Sequence, residues 1–370
     1  MFFDEKSISF TIRIMYTITY PRTDAFPFLF RRETLRRTFS RPGLEILGDS
    51  MNKKDYYWAK YILIFGFFCI SFGTSIFLKT EHAPDEAMRM LIPEYIVSHH
   101  TLPNGMEESV RHPLWGFSYA LYPYLTAIIS SVFMAITSLF TKSAAALLTA
   151  ARLTSVLSGT GTLIVVFLIG EELFERRESA LLGGIFVGFL PQFVFLSCYV
   201  NNDSFAVFTV ALIIYFWIRG MKSAFCKKDC IGLGAGCGLC ALSYYNAYAY
   251  LLGSILLFFA LMIHFQKPAK EIFVKALAVF AIAFLIGGWF FIRNAVIHDG
   301  DLLVVDRSVT ADSGRVVIAA LDGELTVKRL LREKGRVLLK PANPDYPDFD
   351  ITNREYVHIW GVVTYVIHKL

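Results

Sequence analysis

Charge is scarce in this chain. Asp, Glu, Lys and Arg make up 18% of its 370 residues, below the quarter or so that is usual in soluble domains. The net charge of +5 is modest, and no direct nucleic-acid binding is expected. Cysteine is sparse as well. Of the six cysteines, Cys226, Cys230, Cys237 and Cys240 are close in sequence, but the last two sit in the Gly-rich apolar stretch around Gly232 to Gly238. A half-buried set in lipid is a poor source of four convergent zinc ligands. Those glycines also lack the preceding strand and the following acidic residue of a nucleotide loop, so helix packing is the better account. The first fifty residues lack an apolar core long enough for a signal peptide. They carry seven Arg and a β-like alternation in Ser9 to Tyr20, and Met51-Asn-Lys-Lys then opens onto an apolar run. Residues 1–50 therefore read as an upstream extension, with a disordered tail as the alternative.

Apolar residues are abundant: 55% of the chain, with 34 Phe. They fall into runs nearly free of charge: Tyr57 to Leu78, Trp115 to Phe140, Ala144 to Ile169, Ala180 to Val200, Phe205 to Ile218, Ile231 to Phe265 and Ala276 to Ile292. Most can cross about 30 Å of hydrocarbon as a helix. The longest is predicted to break near Tyr244, Tyr245 and Asn246, giving seven or eight crossings. The fold class expected is thus a mainly α-helical polytopic membrane protein over residues 51–297, with a small, mostly antiparallel β module over 298–370.

Basic residues set the orientation. Lys53, Lys54, Lys60, Arg176, Arg177, Arg219, Lys222, Lys227, Lys228, Lys267 and Lys270 flank spans and would face the cytoplasm. The loop Lys79 to Pro113, the Asn201 to Asp203 corner and the segment after Arg293 would face outward. Two full passes between Pro113 and Arg176 would bring Arg176 to the wrong side, so one of those runs is expected to fall short of spanning.

The outward loop holds adjacent carboxylates, Asp85 and Glu86, just beyond the first span. Carboxylates at that depth are costly unless they face a wet cavity or a metal. His99, His100, Arg111 and His112 follow, while Asp203 and Arg293 come from other spans. The alternative for Asp85 and Glu86 is to cap the helix Ala87 to Val97, and for Asp203 to cap the next span.

Pro84-Asp-Glu in the outer loop, Tyr119-Ala-Leu-Tyr-Pro, Ala151-Arg-Leu-Thr-Ser-Val-Leu-Ser-Gly-Thr and Gly287-Gly-Trp-Phe-Phe-Ile-Arg-Asn recur in this order. Residues 51–300 thereby resemble the GT-C membrane glycosyltransferases, in the branch related to protein mannosyltransferases and aminoarabinose transferases. The resemblance implies transfer of a sugar from a polyprenyl-phosphate donor at the outer face of the bacterial cytoplasmic membrane, to an acceptor the residues do not specify. Asp85 would be the general base for the acceptor hydroxyl. Glu86 would assist it or, with Asp85, hold a divalent metal. Arg111, His112 or Arg293 would offset charge on the departing phosphate, with Asp203 a further substrate-binding candidate. The membrane part is shorter than is usual in that class.

After Asp299 the pattern changes to short β runs, Leu302 to Asp306, Arg315 to Leu321, Glu324 to Leu331, Arg336 to Lys340 and Tyr356 to Ile367. Ala311-Asp-Ser-Gly314 and Asp322-Gly323 predict two hairpins. Asp299-Gly-Asp-Leu-Leu-Val-Val-Asp-Arg-Ser308, Val316 to Leu330 and Gly361 to Lys369 resemble the carboxy-terminal domain of UmuD and LexA, self-cleaving Ser-Lys proteins of the bacterial DNA-damage response. Lys328 falls on that family's general-base lysine. The family's nucleophile position, eight residues before the Asp-Gly-Asp turn, is Phe291 here, whereas a Gly48-Asp-Ser50-Met51 lies far upstream. Ser50 with Lys328 is the autoprotease reading, and RecA or a repair polymerase would be the partner under it. The shared string Asp-Gly-Asp-Leu-Leu at the junction points to a chimera, and an inactive chimeric membrane protein is the third alternative.

Overall fold

The computed structural model describes residues 51–112, 118–297, 302–321, 324–333, 335–342, 347–352 and 357–367. The expected strand pattern of Ser9 to Tyr20 and Ser50 lie outside them.

The described residues open with ten α-helices: α1 (Lys53–Phe77), α2 (Glu86–His99), α3 (Leu125–Ser138), α4 (Ala144–Leu173), α5 (Arg177–Gly188), α6 (Pro191–Leu196), α7 (Asp203–Ser223), α8 (Lys227–Ala241), α9 (Tyr248–His264) and α10 (Ala269–Ile297). Outward faces of the long helices are apolar. Phe77 is 85% exposed and Leu285 78%, an arrangement stable in lipid and not in water. Among the described residues five helices are long and apolar enough to cross a membrane: α1, α4, α7, α9 and α10. The expected count of seven or eight crossings is not confirmed. Pro191 splits one apolar run into α5 and α6, because proline cannot supply the N–H that would continue the ladder. The run Ile231 to Phe265 does break where expected, at the short turn Tyr245–Ala247, but its first half, α8, is 15 residues long and reaches only about 22 Å.

The run before Arg176 that falls short is α3. Arg152 of α4 bonds the carbonyls of Ser75 and Leu78 at the end of α1, so the segment of α4 before it projects past that end by about 12 Å. Helix α3 folds back along this projection, with the Ser130 hydroxyl 2.9 Å from the Ala151 carbonyl and 2.8 Å from Thr154 Oγ1. Helix α4 then runs the other way, until Glu171 meets Lys60 (2.7 Å) and Tyr56 (3.0 Å) near the start of α1. Arg176 and Arg177 therefore share an end with Lys53 and Lys54, and the opposite end holds α2, α3 and the 201–203 corner.

The Gly-rich stretch packs, as expected. A Cβ on Gly234 would lie 2.8 Å from the Val279 carbonyl oxygen, and one on Gly238 would lie 2.8 Å from Ile286 Cβ and 2.9 Å from the Ala283 carbonyl oxygen. These absences of side chain let α8 and α10 approach backbone to backbone.

Among the described residues six strands follow: β1 (Leu302–Asp306), β2 (Val316–Leu321), β3 (Glu324–Glu333), β4 (Arg336–Lys340), β5 (Phe349–Asp350) and β6 (Val357–Ile367), in the antiparallel order β1-β6-β2-β3-β4-β5. One expected hairpin is corrected. β2 and β3 pair directly, but β1 pairs with β6, which inserts between β1 and β2. A turn signal marks where the chain bends, whereas strand neighbours depend on which apolar faces meet. Val317, Ala319, Leu330, Leu339 and Val362 form the core of this sheet.

Candidate functional site

Helix α2 begins at Glu86, and its charged first turn sits between α1, α4 and the chain entering α7. Glu86 is fully buried. Arg152 grips it with two parallel bonds, Nε to Oε1 at 2.8 Å and Nη2 to Oε2 at 2.5 Å, while the Val200 N–H donates to Oε1 at 2.7 Å. The remaining Arg152 nitrogen, Nη1, donates to the Ser75 and Leu78 carbonyls, 2.7 Å from each. A single ion pair thus joins four segments, and the bidentate geometry is the strongest that Arg and carboxylate make. Glu86 is committed to structure. A divalent cation does not fit there, because both oxygens already accept charge-assisted bonds. Among the described residues no group of three or more His, Cys, Asp and Glu is placed to hold a metal. Arg152 escaped the sequence reading, although the one basic residue inside the apolar run Ala144 to Leu173 is itself a signal that a buried partner exists.

Asp85 is the contrary case. It occupies the N-cap position of α2 in the left-handed region, φ 55°, and its side chain makes no capping bond. It is exposed, and no hydrogen bond to its carboxylate occurs among the described residues. Its left-handed backbone turns the chain so that adjacent carboxylates part, one inward to Arg152 and the other outward.

Across the bundle, Asn201 Oδ1 accepts the Ser204 N–H at 2.7 Å, and Asn202 bonds Thr126 and the Pro123 carbonyl. Capping of α7 is thereby met without Asp203, whose carboxylate stands in the first turn. Tyr199 stands four residues before Asp203 in the chain. Its hydroxyl is pushed above the ordinary tyrosine range, first by burial, then by the Asp203 carboxylate; the charges of Arg89, Asp85 and Glu86 also act on it. These groups therefore share one electrostatic neighbourhood. Arg89, one turn along α2 and not singled out from sequence, lies 4.3 Å from the Tyr119 ring centre and 5.4 Å from that of Tyr244.

The other expected phosphate partners are engaged. Arg111 donates through Nε to the Gly105 carbonyl at 2.8 Å. Arg293 donates to the carbonyls of Leu102 (3.0 Å) and Pro103 (2.8 Å), and the Tyr124 hydroxyl also reaches the Pro103 carbonyl, at 3.0 Å. Arg293 is thus a clasp from the end of α10 onto the loop 102–105. Burial lowers the His112 imidazole below its ordinary value.

In the sheet, Lys328 stands opposite Val317, and burial lowers its ammonium below the ordinary lysine value. Phe291, at the family's nucleophile position, lies on α10 beside Phe290. The Lys328 shift has a measurable sign. The unfolded chain binds more protons between the folded value and the unfolded one of about 10.4, so sheet stability rises with pH through that window and the cost is complete below it. Competitive acetylation read by mass spectrometry will give Lys328 a lower titration midpoint in the folded chain than in urea. Equal midpoints would rule the shift out.

Two family models match. Residues 126–289 match one described as dolichyl-phosphate-mannose-protein mannosyltransferase, and residues 281–364 match one described as peptidase S24-like. Asp85, Glu86 and Arg89 lie ahead of the first match. The Protein MucA of Salmonella typhimurium is 54% identical over 70 residues, 19% of this chain and 47% of that protein. The Protein SamA of Salmonella typhimurium is 39% identical over 104 residues, 28% and 64%, and the LexA repressor of Bordetella pertussis is 41% identical over 75, 20% and 35%. The chain spans about half the length of the curated relatives it matches. A solved complex of the Saccharomyces cerevisiae protein O-mannosyltransferases Pmt1 and Pmt2, bound to the sugar donor, aligns with TM-score 0.47 and 13% identity over 85% of this chain and 46% of that one.

Proposed function

We propose, on the premise that this chain joins a segment similar to membrane mannosyltransferases to one similar to S24 peptidases, that its helical part transfers a sugar from a polyprenyl-phosphate donor at the outer membrane face. The observation that carries the reading is the division of labour at Asp85 and Glu86: one carboxylate locked, its neighbour free at the rim of an apolar bundle. In the reaction the acceptor hydroxyl oxygen attacks the anomeric carbon and gives its proton to the Asp85 carboxylate. The anomeric carbon–oxygen bond breaks, and its electron pair leaves with the polyprenyl phosphate.

The basic residues support the orientation. They gather at the end holding the start of α1, the end of α4 and the α7–α8 turn, and the positive-inside rule puts that end in the cytoplasm of a bacterial inner membrane. The 298–370 part is then a foreign tail fused to the helical one. The Ser50–Lys328 autoprotease, with RecA or a repair polymerase as partner, is the weaker reading, since α10 is helical across the family's nucleophile position.

The detergent-solubilised full chain, given a polyprenyl-phosphate sugar together with a crude bacterial envelope extract as the source of the acceptor hydroxyl, will release polyprenyl phosphate, and a cysteine placed at Lys79 will react with an impermeant maleimide on intact cells. No release from donors carrying several different sugars, or labelling only after lysis, would remove the reading.

A further inference from the structure

Among the described residues four arginines stand at the site end of the bundle, and three donate hydrogen bonds to the protein: Arg152 to Glu86 and two carbonyls, Arg111 to Gly105, and Arg293 to Leu102 and Pro103. Arg89 differs. It is 7% exposed, its Nη1 is buried with no hydrogen-bond partner, and it makes no ion pair among the described residues. The faces of Tyr119 and Tyr244 flank it. Such cation–π contacts offset part of the desolvation of a guanidinium, but they satisfy no N–H. A buried guanidinium with an unmade bond is a place where the folded protein lacks an anion.

We infer that Arg89 receives a phosphate ester through Nη1, in a slot walled by Tyr119 and Tyr244. Three features select that class. The guanidinium fork matches phosphate oxygens. The aromatic walls suit a ligand whose remainder is apolar. Asp85 lies one turn away on the same helix, so a bound phosphate at Arg89 would set the adjoining sugar beside the free carboxylate. Assigning that phosphate to the lipid donor rests on the transferase reading; the anion site itself rests on Arg89.

The test is binding by the full chain in detergent, followed by thermal shift and native mass spectrometry, with four probes: decaprenyl phosphate, decaprenol, inorganic phosphate and dioleoylphosphatidylglycerol. Decaprenyl phosphate will raise the melting temperature and decaprenol will not. Arg89→Gln will weaken decaprenyl phosphate by about 10- to 100-fold, the worth of a hydrogen bond to a charged group. Ligand-free Arg89→Gln and Arg89→Met will melt no lower than wild type, because they remove an unpaired buried charge; a residue with a merely structural role would not behave so. Lower melting of both variants, or undiminished binding in both, overturns the inference and leaves the sugar-release assay intact. An Arg89-dependent response confined to inorganic phosphate or phosphatidylglycerol upholds the phosphate site and removes its assignment to the donor.

Discussion

Asp85→Asn will reduce sugar transfer by about 10²- to 10⁴-fold in kcat, the usual contribution of a positioned general base, with donor affinity unchanged. Asn is the clean substitution because the backbone at this position is left-handed, φ 55°. Asn tolerates that conformation as well as Asp does, whereas Ala would add strain unrelated to chemistry. The carboxylate makes no capping bond, so its loss frees no helix end. Turnover with a polyprenyl-phosphate sugar, measured alongside the unfolding temperature, separates the two effects. A variant that stays within about threefold of wild type would exclude Asp85 as the base, since even a weak general base contributes more.

Glu86→Gln will behave differently, failing in stability before it fails in chemistry. It leaves Arg152, itself 1% exposed, as an uncompensated buried cation, at a cost of about 3–5 kcal/mol. The loss should appear as a lower melting temperature in detergent and poor recovery as a monodisperse species. Replacing both partners by apolar side chains, Glu86→Leu with Arg152→Met, removes the stranded charge and will restore much of the stability, because apolar replacement of both partners of a buried pair is often near neutral. The Ser75 and Leu78 carbonyls that Arg152 ties down will then be unsatisfied, so recovery will be incomplete. A loss under about 1 kcal/mol for the single variant would match an exposed ion pair and contradict the clasp described here.

Much of this architecture was legible in the residues. Hydropathy placed α1, α4, α7 and α10, and the polar interruption at 244–246 separated α8 from α9. Alternation and turn residues located β1 to β4 and β6 nearly to their ends, and missed the two-residue β5. Crossing was not legible for α3, because a short apolar helix that lies along a neighbour has the composition of one that spans. Nor was strand order, since β6 joins β1 from sixty residues away in sequence and no local signal carries that pairing. At the site, adjacency of Asp85 and Glu86 was plain. Their separation into a free and a bound carboxylate was not, as it depends on Arg152, 66 positions along. Arg89 carried no signal at all: its interest lies in a missing partner, and a sequence does not display absent bonds.

The Arg293 clasp limits how the two halves can be taken apart. The mannosyltransferase match ends at residue 289 and the peptidase match begins at 281, so scissors guided by either border would amputate Arg293 and unbutton the loop at 102–105. A shortened chain intended to keep this end of the bundle in shape must retain α10 to Ile297, even though those last turns fall inside the peptidase match.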